Sequence, residues 1–135
     1  MTALLPPVTW RLYQARAVDG DTIAACIERD VMLAGGWAHR IYSARQRPDG
    51  SITPAEQHLR LVTLDTPEKG QPGYREARAD VTEWLAHRQG LLLVDVYTSA
   101  GWDRLLADVY LASDRSDTLT QYLMRDRGWP AWQPA

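Results

Sequence analysis

VTWRLYQARAVDGDTIAACIE (residues 8–28) holds two apolar-rich runs on either side of Asp19-Gly20. Asp-Gly between such runs is a strong hairpin signal, because both residues accept the backbone of a tight primed turn. Val8–Val18 therefore reads as one strand and Asp21–Glu28 as the next. Cys26 sits within the second strand, where an unpaired cysteine is expected to be a buried, inert thiol.

Outward from that hairpin the pattern changes. From Asp30 to Ala55 periodicity breaks down, with turn punctuation at Gly35-Gly36, Pro48-Asp49-Gly50 and Pro54; a short ribbon fits around Trp37–Ser43. LRLVTL (59–64) is a clear strand. Asp65-Thr66-Pro67-Glu68 carries the marks of a helix entrance, a capping side chain followed by Pro and an acid, and a loop through Gly70 and Gly73 delays the helix itself. Tyr74, Ala77, Val81, Trp84 and Leu85 fall on one helical face, which predicts a helix from Tyr74 to about Arg88, ended by Gly90. Leu91–Tyr97 is a strand, Thr98–Asp103 a turn, and Arg104–Leu111 another strand. Asp117 or Thr118 is placed to cap a second helix carrying Leu119, Leu123 and Met124, with Gly128 just past its end. The order is strand, strand, strand, helix, strand, strand, helix. A five-stranded, closed or nearly closed sheet with a helix between its third and fourth strands is the OB-fold layout, although other α+β arrangements share this element order.

The whole chain, 135 residues, is the size of one domain and predicts a single unit, 1–135, with residues 30–55 as an insertion. With 45% hydrophobic and 24% charged residues it has the balance of a globular protein. No run approaches the ~20 apolar residues that cross a bilayer, so no membrane partner is expected. MTALLPPVTW has neither a basic start nor a long apolar stretch, which predicts no secretory signal and an intracellular location. One cysteine excludes an internal disulfide and a CxxC zinc site, and His39, His58 and His87 share no ligand spacing. A net charge of −2 and pI near 5.9 argue against broad phosphate neutralisation, so any nucleic-acid chemistry must be local. All the cations except Lys69 are Arg. Guanidinium forks match phosphate oxygens, but codon composition is the simpler explanation of the bias.

Four segments draw attention together: VDGDT (18–22), LRLVTLDTPE (59–68), WDRLLADVYL (102–111) and LMRDRGW (123–129). Singly, each has an ordinary explanation as a turn, a helix entrance or a solvated strand face. Jointly, Asp21, Asp65 and Glu68 are three carboxylates at strand ends, and Arg60 precedes Asp65 on the same run. Oxygen-only donors suit a hard cation such as Ca²⁺ or Mg²⁺. Guanidiniums at Arg60 and Arg104 beside it suit a phosphate. Together these are the parts for phosphoryl transfer by positioning and charge stabilisation.

These segments resemble the staphylococcal nuclease (thermonuclease) family. Its DGDT stands here as Asp19-Gly20-Asp21-Thr22, and its R-L-x-x-x-D-T-P-E as Arg60 through Glu68. Its helix start is similar to Gly73-Tyr74-Arg75-Glu76-Ala77, its aromatic-Gly-Arg-x-Leu-Ala strand to Trp102 through Ala107, and its Leu-x-x-x-Gly ending to Leu123 through Gly128. The resemblance runs from about Ala15 to Gly128. It implies an OB-fold five-stranded β-barrel with two helices, and a Ca²⁺-dependent hydrolase (Mg²⁺ the alternative) that cleaves phosphodiesters in DNA or RNA to leave 3′-phosphate ends. By motif position, Asp21 and Asp65 would bind the cation by carboxylate and Thr66 by its backbone carbonyl. Glu68 would orient or deprotonate the attacking water, and Arg60 and Arg104 would hold the phosphate. Trp102 would contact the nucleotide.

The departures are specific. Asp103 stands where the family has Gly before its second Arg, and Ala100 replaces a family Asp. The C-terminal helix of compact members is truncated here, together with its base-stacking tyrosines; Trp132 is a candidate substitute or else a lid on the core. The stretch between Asp21 and Arg60 is longer than in compact members. It interleaves Trp37, His39, Arg40, Tyr42, Arg45 and Arg47, which suits a single strand of nucleic acid or an elongated hairpin with a solvated face. Two other functions stay open: a catalytically silent nuclease-like module that binds nucleic acid or protein, and a generic OB-fold binder whose acids only cap turns. Oligomeric state is not legible.

Overall fold

The structure, a computed structural model, describes residues 7–62, 64–88, 90–97 and 105–131. It is an α+β fold. Strand β1 (Val8–Ala17) turns directly into β2 (Thr22–Met32), with the Val18 and Asp19 amides both donating to the Thr22 carbonyl (3.0 and 3.1 Å). The expected hairpin is therefore present, and β2 runs on to Met32 rather than stopping at Glu28. Strands β3 (Ala38–Tyr42), β4 (Ala44–Gln46) and β5 (Ile52–Pro54) follow, then β6 (Gln57–Leu61), helix α1 (Tyr74–Ala86), β7 (Leu92–Tyr97), β8 (Leu106–Leu111) and β9 (Asp114–Thr118). A short helix α2 (Leu119–Gln121) continues into a π-helical segment, Tyr122–Asp126. The Thr118 hydroxyl caps α2 by accepting from the Gln121 amide (3.1 Å).

Five strands are paired in a cycle. β1 runs antiparallel to β2 and to β7, β7 antiparallel to β8, and β2 antiparallel to β6. β6 and β8 complete it in parallel, with Arg60 opposite Leu106 and Leu61 opposite Ala107. β3 extends β2 on one side and β9 extends β8. Alternation along the strands sends Ile23, Ala25, Ile27, Leu59, Leu61, Val94, Val96, Ala107 and Val109 into one core. Val81 and Trp84 from α1, with Leu119 and Leu123 from the C-terminal helix, complete it. Cys26 is buried and unpaired with any other cysteine, as its strand position predicts.

Two expectations need correction. Asp65–Glu68 does not open a helix. Pro67 disfavours helical backbone at Thr66, and the Asp65 amide is bound to the Pro130 carbonyl (3.0 Å), which ties this stretch to the tail. α1 starts at Tyr74, where the apolar spacing predicts it, directly after Gly73, whose φ of +89° needs glycine. The polar run Asp114–Thr118 forms a strand that its sequence does not announce. The expected turn from Thr98 to Asp103 and the start of a strand at Arg104 lie outside the described residues.

None of the described side chains between 30 and 55 is buried. β2 with β3, and β4 with β5, form two successive antiparallel ribbons. Trp37 is 75% exposed, and Met32, Leu33 and Ile52 are also open to solvent. Among the described residues no helix is long and apolar enough to cross a membrane.

Candidate functional site

Asp21 follows the β1–β2 turn, and its carbonyl accepts from the Leu61 amide (2.7 Å), fixing the head of β2 to the end of β6. The register that sets Thr22 opposite Arg60 brings their neighbours together. The Arg60 Nη2 lies 3.8 Å from Asp21 Oδ2, with the Arg side chain 34% and the Asp side chain 14% exposed. This is an ion pair too long to be a hydrogen bond, so the guanidinium keeps its donors for another partner. The Thr22 hydroxyl donates to Asp21 Oδ1 (3.2 Å). Burial pushes the Asp21 carboxyl above the usual aspartate range; Arg60 and the Thr22 hydroxyl pull it back, and the nearby charges of Asp19 and Asp65 push it up again. Arg60 is thus the main charge that Asp21 meets, and Asp65 acts on it more weakly.

Gly20 makes this approach possible. A Cβ there would collide with the Ala77 side chain and sit 2.8 Å from Thr66 Oγ1, so the turn presses directly on α1 and on the loop after β6. Tyr74 reinforces the contact by donating its hydroxyl to the Val18 carbonyl (3.1 Å). Thr66 is buried and its hydroxyl has no hydrogen-bond partner among the described residues, as is true of one Asp19 carboxylate oxygen.

Glu68 is exposed. Its amide donates to the Gln71 side-chain oxygen (2.8 Å) and its carbonyl accepts from the Gln71 amide (2.9 Å), which shapes the loop. Among the described residues no hydrogen bond or ion pair joins its carboxylate to Asp21, Arg60 or Asp65. Arg104, Trp102 and Trp132 lie outside the described residues. An open cleft of about 490 Å³ lies nearby, lined by Lys69, Gly70, Gln71, Gly73, Tyr74, Arg75 and Glu76. It takes in none of Asp21, Arg60 and Asp65, and the charges rather than the concavity mark the candidate site.

Among the described residues, no three of His, Cys, Asp and Glu are gathered to hold a metal by side chains alone. The donors expected from the motif are two carboxylates, Asp21 and Asp65, with the Thr66 carbonyl. These are all hard oxygens, which fit Ca²⁺ or Mg²⁺ with water completing the shell. The Asp19 charge adds negative potential at Asp21.

No model of a known protein family matches the chain, and no curated protein matches it. What bears on function is the geometry around Asp21.

Two polar clusters escape sequence reading. Asp80, on the inner face of α1, holds Arg127 and Trp129. Asp95, buried in β7, accepts from Thr9 (2.6 Å), Tyr110 (2.9 Å) and Arg115 (2.8 Å). Each joins residues far apart in the chain, and the one local signal is a charged residue at a core-facing position.

Proposed function

We propose that the chain is a staphylococcal-nuclease-like phosphodiesterase, a metal-dependent hydrolase acting on DNA or RNA. The observation that carries the reading is the Arg60–Asp21 pair at the head of β2, with Asp65 in electrostatic reach. The strand cycle supports it: the order β1, β2, β6, β8, β7 with one parallel pairing is what an OB-fold five-stranded β-barrel requires. In this reading 30–55 is an insertion between its second and third strands.

Asp21, Asp65 and the Thr66 carbonyl would hold Ca²⁺, with Mg²⁺ the alternative. Bound there, the cation supplies charge to a phosphate oxygen and acidifies a water. Arg60, held only loosely by Asp21, turns its fork to the scissile phosphate and stabilises the charge that grows on it. Glu68, whose carboxylate has no bonded partner among the described residues, takes the proton of the attacking water. Arg104 is the second guanidinium, and Trp102 and Trp132 are aromatic surfaces for a base.

Cleavage of an end-labelled oligonucleotide, with and without a chelator, tests this. Activity should vanish with chelator and return with Ca²⁺. Arg60→Ala should lose about 10²–10³-fold in kcat/KM, the cost of removing one donor from a developing oxyanion. Glu68→Gln should lower kcat while substrate still binds. Chelator-resistant cleavage, or Arg60→Ala within a few-fold of wild type, would overturn the assignment. Asp103 beside Arg104 favours the second reading, a silent binding module. Retained oligonucleotide affinity without any cleavage is its signature.

A further inference from the structure

We propose that Asp80 is a positioning residue for the candidate cation site, acting through the tail that it clamps against Asp65. The inference rests on the nuclease reading. Asp80 lies on the face of α1 that also carries Ala77, Val81 and Trp84, and its side chain is 9% exposed. A carboxylate placed among core residues is costly unless every oxygen is engaged. Here both are. Oδ1 accepts from Arg127 Nε (2.9 Å) and lies 2.7 Å from Arg127 Nη2, while Oδ2 accepts from the Trp129 indole N–H (2.7 Å).

Both partners belong to the short segment that leaves the C-terminal helix. Gly128, at φ +77°, turns the chain there, and the Trp129 amide returns to the Leu123 carbonyl (2.9 Å). The next residue, Pro130, accepts from the Asp65 amide (3.0 Å), and Ala131 bridges Leu64. Pro130 has no N–H of its own, so the tail pairs with the Leu64–Asp65 stretch through few backbone bonds. The Trp129 ring also lies against Gly73, where a Cβ would stand 3.4 Å from it and 3.2 Å from Pro67. The clamp thus fixes both ends of the loop that begins at Asp65, and an apolar residue at position 80 would supply the burial without orienting either partner.

Hydrogen exchange and cleavage together test the role, with Asp80→Asn as the main variant. Arg127→Gln and Trp129→Phe serve as milder variants that each remove one arm and keep most of the packing. The Asp65 amide should lose protection in all three, while the Leu61 amide, bound to Asp21, keeps it. The Ca²⁺ concentration for half-maximal cleavage should rise about 10–100-fold, as when a partner behind a metal ligand is removed. The rate at saturating Ca²⁺ should stay within a few-fold of wild type. A lower Tm with unchanged Asp65 protection and unchanged Ca²⁺ requirement would make Asp80 a stability residue only and overturn the proposal. A wild-type protein with neither Ca²⁺-dependent cleavage nor a Ca²⁺-dependent Tm would instead overturn the nuclease reading and the positioning role with it. Loss of Asp65 protection would then leave the clamp as a structural fact alone.

Discussion

Asp21 carries its charge at a site where burial favours the neutral acid, and the pull of Arg60 does not fully offset that. With its pKa raised in the folded state, the native protein binds this proton more tightly than the unfolded chain does. The resulting stabilisation is fully present below the unfolded value and is lost as pH rises through the folded one. At pH 7 without a cation the ionised Asp21 therefore works against folding. Asp21→Asn should raise the calcium-free Tm by a few degrees, on the order of 1 kcal/mol or less. It should also flatten the loss of stability above the acid range, as read by circular-dichroism melts across pH. A lower Tm at pH 7 would mean that the ion pair with Arg60 outweighs burial. DGDT and the Arg60–Glu68 run are legible as a motif because residue types and order carry them. The need for glycine at position 20 is legible only as a turn signal. Its cause in the structure is the approach of Ala77 and Thr66 and not a left-handed φ, and that approach joins segments that no local pattern connects.

The ribbons from Asp30 to Ala55 test the element scale. Their described side chains are all outside the core, and closing a surface loop costs free energy that grows only logarithmically with length. Replacing Asp30–Ala55 by a short glycine-containing turn should leave a folded protein with similar chemistry on a dinucleotide-sized substrate. Affinity for longer single strands should fall, and the log–log salt slope should drop by ~0.7 for each lost phosphate contact. Equal affinity and slope would show that the arm does not touch substrate, and loss of folding would show that it belongs to the core. α1 was legible from its apolar face. β9 was not, because Asp114-Arg115-Ser116-Asp117 lacks strand alternation. It exists through pairing with β8 and through Arg115 reaching Asp95. The widening of the last helix over Tyr122–Asp126 leaves no trace in the sequence.

At the scale of the molecule, element order was readable and partnership was not. Periodicity places each strand and its inner face, but Thr9 meets Asp95 (2.6 Å) across most of the chain, and the parallel match of β6 with β8 is set by packing. The same assembly brings the charges of Asp19 and Asp65 to bear on Asp21, a repulsion that belongs to the native state. A cation that binds only that state stabilises it by ~2.7 kcal/mol at 100 times its dissociation constant. Millimolar Ca²⁺ should therefore raise the Tm of the wild type and not of Asp21→Asn, which differential scanning calorimetry reads directly. An equal shift in both would move the cation elsewhere.

The parallel pairing of β6 with β8 also orders events during synthesis. When a nascent chain has emerged only as far as β6, the outer edges of β1 and β6 have no strand to meet, because β7 and β8 are still to be made. Unpaired edges invite pairing with other chains, so this intermediate is the stage at which a chaperone matters most. The exposed loop around Gln71 separates the two contributions. Pieces covering residues 1–71 and 72–135, mixed in solution, should find each other and restore the protection of the Val62 amide, whose acceptor, the Ala107 carbonyl (3.0 Å), lies on the other piece.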